Sequence, residues 1–94
     1  MDLVIEIDRT IKVAVHGTFK RCLTITEELA LQQELYNGME CHVRTNNLGV
    51  STAVRVEGVV HSDEAQSSFV RYVNNVCTRF ETGLENYHAL HSTN

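Results

Sequence analysis

The sequence predicts an α+β fold, a two-layer sandwich in which one antiparallel sheet is covered on a single face by two helices. Three observations carry this expectation. Apolar and polar residues alternate with a period of two in three separate segments, two other segments repeat apolar residues at helical spacing behind N-cap residues, and the segments follow one another as β-α-β-β-α with a short last stretch. Each strand segment has one apolar and one polar side, the pattern of a sheet covered on one face only.

In residues 3–15 the odd positions are Leu3, Ile5, Ile7, Arg9, Ile11, Val13 and Val15, and the even ones are Val4, Glu6, Asp8, Thr10, Lys12 and Ala14. The phase survives the one polar interruption, Arg9, and no Gly or Asn marks a tight turn, so one strand bent at Arg9 is expected. Two strands meeting at Asp8-Arg9-Thr10 remain the alternative, which would start the fold with a hairpin. Next, Thr24-Ile25-Thr26-Glu27 offers a hydroxyl cap with a carboxylate three residues on that can reach back. Ile25, Leu29, Leu35 and Tyr36 form the stripe of that helix, Leu31 widens it, and Asn37-Gly38 supplies a left-handed stop.

Met39, Cys41 and Val43 then alternate with Glu40, His42 and Arg44. After a turn at Thr45-Asn46-Asn47-Leu48-Gly49, Val50, Thr52, Val54 and Val56 alternate with Ser51, Ala53, Arg55 and Glu57. Ser62, followed by Asp63 and Glu64, opens a second helix with acidic side chains at its positive end. Ala65, Phe69, Val73, Val76 and Phe80 repeat at helical spacing, and Gly83 can end the helix. Residues 84–90 read as a short final strand and residues 91–94 as a frayed tail. The full order, β-α-β-β-α-β, suits a ferredoxin-like two-layer sandwich. Its helices should cover the side bearing Leu3, Ile5, Ile11, Val13, Val54 and Val56, leaving the opposite side polar.

At 94 residues the chain reads as one domain, residues 1–94, and a chain of this size buries roughly two-thirds of its unfolded surface without needing staples. With 43% hydrophobic residues, no Trp, three Tyr and three Phe, its core should be mostly aliphatic. A net charge of −4 with only eight scattered Lys and Arg argues against a generic polyanion binder. Cys22, Cys41 and Cys77 are odd in number and lack CxxC spacing, so neither a disulfide framework nor a zinc site is expected. No stretch reaches a membrane span and the start lacks a signal-peptide pattern, so the expected location is the cytoplasm, without membrane partner, metal or cofactor.

The segment Val15-His16-Gly17-Thr18-Phe19-Lys20-Arg21 lies where the first strand should give way to a loop before the first helix. A Gly-containing loop ending in Arg can turn backbone N–H groups toward a phosphate-type anion while the guanidinium binds it bidentately. The same residues also fit a plain strand end with a solvated Arg21. Val-His-Gly-Thr-Phe-Lys-Arg resembles the acylphosphatase signature, V-Q-G-V-x-F/Y-R, with the same spacing from Gly17 to Arg21. Val43-Arg44-Thr45-Asn46-Asn47-Leu48-Gly49, followed by Val54-Arg55-Val56-Glu57-Gly58, resembles that family's second segment, V-K/R-N-x-x-x-G followed by V-Q-G. The resemblance implies that His16, Gly17, Thr18, Phe19, Lys20 and Arg21 cradle the phosphate of an acyl phosphate, and that an Asn orients the attacking water. At that Asn position stands Thr45, with Asn46 one residue on. In a strand this offset points to the other face, so Asn46 substitutes only where the strand has ended. His16 replaces the family's Gln, and Val13 replaces the first Gly of its longer signature.

His16 and His42 fall on the expected polar face with Glu6, Glu40, Arg44, Arg55 and Glu57 as neighbours, a mixed solvated surface with no metal-ligand spacing. His61, His88 and His91 form no HxH or HExxH pattern. None of the expected outward positions is aromatic, which disfavours RNA stacking on the sheet. Three function classes follow. The first is a binding or regulatory module on an acylphosphatase-like scaffold, acting through protein contacts as a homodimer. The second is an acylphosphatase using Arg21 with Thr45 or Asn46. The third is an acidic inhibitor-type protein, whose mark would be clustered carboxylates on one face. The first is favoured, because the motif is degraded and a weak last strand leaves a sheet edge for pairing.

Overall fold

The structure, a computed structural model, describes residues 9–91, the segment 84–91 by backbone alone. Its elements are β1 (Ile11–Phe19), α1 (Ile25–Gly38), β2 (His42–Asn47), β3 (Thr52–Val60) and α2 (Asp63–His91). The three strands form an antiparallel sheet in the order β1-β3-β2, with both helices on one face, a ferredoxin-like two-layer α+β sandwich.

Sheet register follows from the alternation. Val15, Val56 and Val43 stand in one row across the three strands and His16, Arg55 and Arg44 in the next, so one row faces the helices and its neighbour faces outward. Val13, Val43, Val54 and Val56 are buried, Ile11 packs against their edge, and the facing wall is Leu31 and Leu35 of α1 with Phe69, Val73 and Val76 of α2. Phe19, at the end of β1, meets Phe80 edge to face with ring centroids 5.9 Å apart. The helix-covered side is therefore the expected one. Leu3 and Ile5, and with them the choice between a bent strand and a hairpin at residues 8–10, lie outside the described residues.

Helix α1 begins with the expected capping box. The Thr24 hydroxyl accepts from the Glu27 N–H at 3.2 Å and the Glu27 carboxylate accepts from the Thr24 N–H at 2.9 Å. Its end differs from expectation. Gly38 is still helical and has no positive φ, and the extended Met39 closes the helix by donating its N–H to the Leu35 carbonyl. Glycine serves close packing here, since a Cβ on Gly38 would lie 1.9 Å from the Tyr72 hydroxyl oxygen of α2. The apolar stripe is also turned from its expected centre, with Leu31 and Leu35 fully buried and Ile25, Leu29 and Tyr36 exposed.

Two further expectations are corrected. The strand expected at residues 84–90 is absent, because α2 continues through Gly83 to His91. One interior Gly costs about 1 kcal/mol relative to Ala, too little to stop a helix whose next residues include Leu, Glu and Ala and no Pro. His91 thus ends α2, and the rest of the expected tail, residues 92–94, lies outside the described residues. The second correction concerns the turn expected at residues 45–49, which forms later. β2 runs through Asn47, and the tight connection is at residues 48–51, where Leu48 donates to the Ser51 carbonyl at 2.8 Å and Gly49 adopts φ +91°.

Candidate functional site

The expected anion loop is for the most part strand. Residues 16–19 pair with β3 in the order His16 with Arg55, Gly17 with Val54, Thr18 with Ala53 and Phe19 with Thr52. Successive N–H groups of an extended strand point in opposite directions, whereas an anion nest needs them to converge. None of residues 16–21 has a positive φ, and a Cβ at Gly17 would meet nothing within 4 Å. Alternation divides the segment between the two faces. His16 and Thr18 are exposed on the open face, while Phe19 is buried in the core with Gly17 on the same side.

Beyond the strand, Lys20 is exposed and Arg21 is half-buried, its guanidinium ion-paired with Glu27 of the capping box. Burial of Glu27 opposes its ionisation, but the hydrogen bonds from Thr24 and the charge of Arg21 together outweigh it and hold the carboxyl below its usual range. The connector is fixed from below by Thr52, a buried residue whose hydroxyl accepts the Leu23 N–H at 2.9 Å and donates to the Arg21 carbonyl at 3.1 Å. Beside it, the Cys22 thiol lies 2.7 Å from both the Asn47 side-chain oxygen and the Gly49 carbonyl.

Thr45 and Asn46 both lie inside β2, opposite Val54 and Ala53, and so face opposite sides of the sheet. The residue brought to the Arg21–Leu23 connector is Asn47, which the sequence comparison had not singled out. Its position just before a Leu-Gly turn was the available signal, and its side-chain oxygen accepts the Gly49 N–H at 3.2 Å as a turn residue does.

The open face of the sheet collects most of the remaining polar chemistry. Its strand positions are Lys12, Ala14, His16 and Thr18 on β1, Ala53, Arg55, Glu57 and Val59 on β3, and His42, Arg44 and Asn46 on β2. None is Phe, Tyr or Trp, and Glu57 is the one carboxylate among them. A shallow trough of about 610 Å³ lies along this face, bordered by Lys12, Ala14, His42, Arg55, Glu57 and His61. At its far end the His61 ring nitrogen Nδ1 donates to the Arg9 carbonyl at 3.1 Å, and Arg9 pairs with Asp63 at 3.0 Å. Among the described residues no group of three or more His, Cys, Asp or Glu side chains is arranged to hold a metal ion, and no helix is long and apolar enough to cross a membrane.

Comparison of the chain with protein-family models, with curated proteins and with solved structures gives no match.

Proposed function

We propose that the chain is a cytoplasmic binding module that works through protein contacts, and that it self-associates through the outer edge of β1. One observation carries the reading. β1 is nine residues long, ends the sheet, and has no strand on its outer side among the described residues. Its one permanently charged residue is Lys12, whereas long edges are normally interrupted by several charges, a bulge or a Pro. The pattern is also self-complementary. Antiparallel pairing of two copies about Val15 sets Lys12 of one against Thr18 of the other and Ile11 against Phe19, so no like charges oppose and both core faces stay on one side.

This register makes the test specific. Sedimentation of the wild type in the micromolar range should give a dimer. Thr18→Lys opposes two lysines and should give a monomer, and Thr18→Glu opposes unlike charges and should preserve the dimer. A monomeric wild type, or equal behaviour of the two variants, overturns the proposal.

The competing reading is an acylphosphatase in which Arg21, with residues 16–20, holds the phosphate and Thr45 or Asn46 orients water. Its support is the motif, together with the rigid placement of the Arg21 connector beside the β2–β3 turn. It requires Arg21 to exchange Glu27 for substrate. Hydrolysis of an acyl phosphate by the wild type that disappears in Arg21→Ala would establish this reading in place of the binding module.

A further inference from the structure

The rows of the open face are chemically unequal. In one row His16, Arg55 and Arg44 stand side by side across β1, β3 and β2, and in the next row Thr18, Ala53 and Asn46 do the same. Neighbouring strands are roughly 4.8 Å apart, so each row spans about 10 Å. His16, Thr18, Arg44, Asn46 and Arg55 are all exposed, and Ala53 leaves a low floor between them. Every side chain around that floor can donate a hydrogen bond, and neither row contains a carboxylate.

Two features separate this arrangement from an ordinary solvated face. Arg44 and Arg55 are direct cross-strand partners, and like charges directly opposite each other destabilise a sheet. The Arg55 Nε is engaged by Glu57 in the adjacent row, which orients the guanidinium and leaves its terminal nitrogens for another acceptor, while Arg44 has no carboxylate partner among the described residues. The placement also runs against the overall charge. The chain carries −4, and α1 has Glu27, Glu28 and Glu34 with no basic residue, yet the opposite face presents this cationic row.

From these relationships we infer that the open sheet face binds a small phosphorylated ligand, its phosphate seated on the His16–Arg55–Arg44 row and its remainder in the adjoining trough that Arg55 also borders. Two guanidinium forks, an imidazole, an amide and a hydroxyl exceed what the two oxygens of a carboxylate can accept, and match the three free oxygens of a phosphate monoester. The trough, about 610 Å³, is of small-molecule size and provides acceptors at Glu57 and Glu40 and donors at Lys12 and His42 for hydroxyl or amide groups. A nucleic-acid strand fits less well. It would need a continuing cationic track and stacking aromatics, and it would be repelled by the net negative charge. The site shares His16 and Thr18 with β1 and Asn46 with the acylphosphatase reading, but it uses side chains on the open face rather than the backbone edge of β1 or the Arg21 guanidinium, so Arg44 and Arg55 distinguish it from both readings.

The test is an NMR titration of backbone amides and arginine Nε–H groups in chloride buffer, using inorganic phosphate and a sugar monophosphate, with a single-stranded oligonucleotide and polyglutamate as comparisons. The expected result is saturable shifts at His16, Arg44 and Arg55 with both phosphates, extended to Lys12 and His42 by the sugar monophosphate. Arg44→Gln and Arg55→Gln should each weaken binding about tenfold or more, since each removes charge-assisted hydrogen bonds. Arg44→Gln should do so without lowering the denaturation midpoint, because it also removes the opposed charge. The inference is overturned by absence of saturable shifts, by unchanged affinity in both variants, by tighter binding of the oligonucleotide or polyglutamate, or by shifts centred on the Lys20–Leu23 connector.

Discussion

The buried hydroxyl of Thr52 accepts the backbone N–H of Leu23 at 2.9 Å, 29 residues away in sequence, and returns its own proton to the Arg21 carbonyl at 3.1 Å. One side chain at the start of β3 thus closes the connector between β1 and α1. Among the described residues no buried side-chain polar atom lacks a partner, and this bridge contributes to that result.

Thr52→Val keeps the shape and removes both bonds, leaving the Leu23 N–H buried without an acceptor. The expected loss is about 1–3 kcal/mol of stability, read from urea unfolding. An unchanged midpoint would mean that the connector finds another acceptor.

Gly58 and Gly17 are both strand glycines with opposite surroundings. A Cβ on Gly58 would lie 2.4 Å from the buried Phe69 ring, so Gly58→Ala should cost about 1–3 kcal/mol by overpacking. At Gly17 a Cβ meets nothing within 4 Å, and Gly17→Ala should leave stability unchanged or slightly raised. The paired unfolding curves check this contrast, and equal losses at the two sites would contradict it.

Glu27 gives a pH prediction whose sign follows from its lowered folded-state pKa. Folding favours the ionised carboxylate, so its stabilisation is fully present above the unfolded value and disappears as pH falls through the lower folded value. Glu27→Gln retains an N3 residue able to complete the capping box but removes the charge that meets Arg21. The variant should be less stable than the wild type at neutral pH, and the gap should close as the pH drops below 4.5. Thermal unfolding of both proteins across that range measures it, and a gap independent of pH would exclude the ion pair as its source.

Much of the fold was legible locally. Alternation specified which side of β1, β2 and β3 is buried, because a one-residue slip would move every apolar side chain to solvent. Thr24 and Glu27 specified the start of α1, and Ser62 the start of α2, where its hydroxyl accepts the Ala65 N–H at 3.0 Å. The candidate sites were only partly legible. Residues 15–21 have the spacing of a loop motif, but pairing with β3 keeps residues 16–19 extended, and that pairing depends on a segment over thirty residues downstream.

By itself, then, the sequence determined the types of the five elements from β1 to the start of α2, the buried sides of the three strands and the absence of Phe, Tyr and Trp from the open face, all of which rest on periodicity and side-chain chemistry within short windows. Only the tertiary structure decided that α2 runs on through residues 84–90, that Gly38 is a packing residue against Tyr72, and that Arg44 opposes Arg55. These depend on how strands register and helices dock, which bring together residues that no local pattern relates.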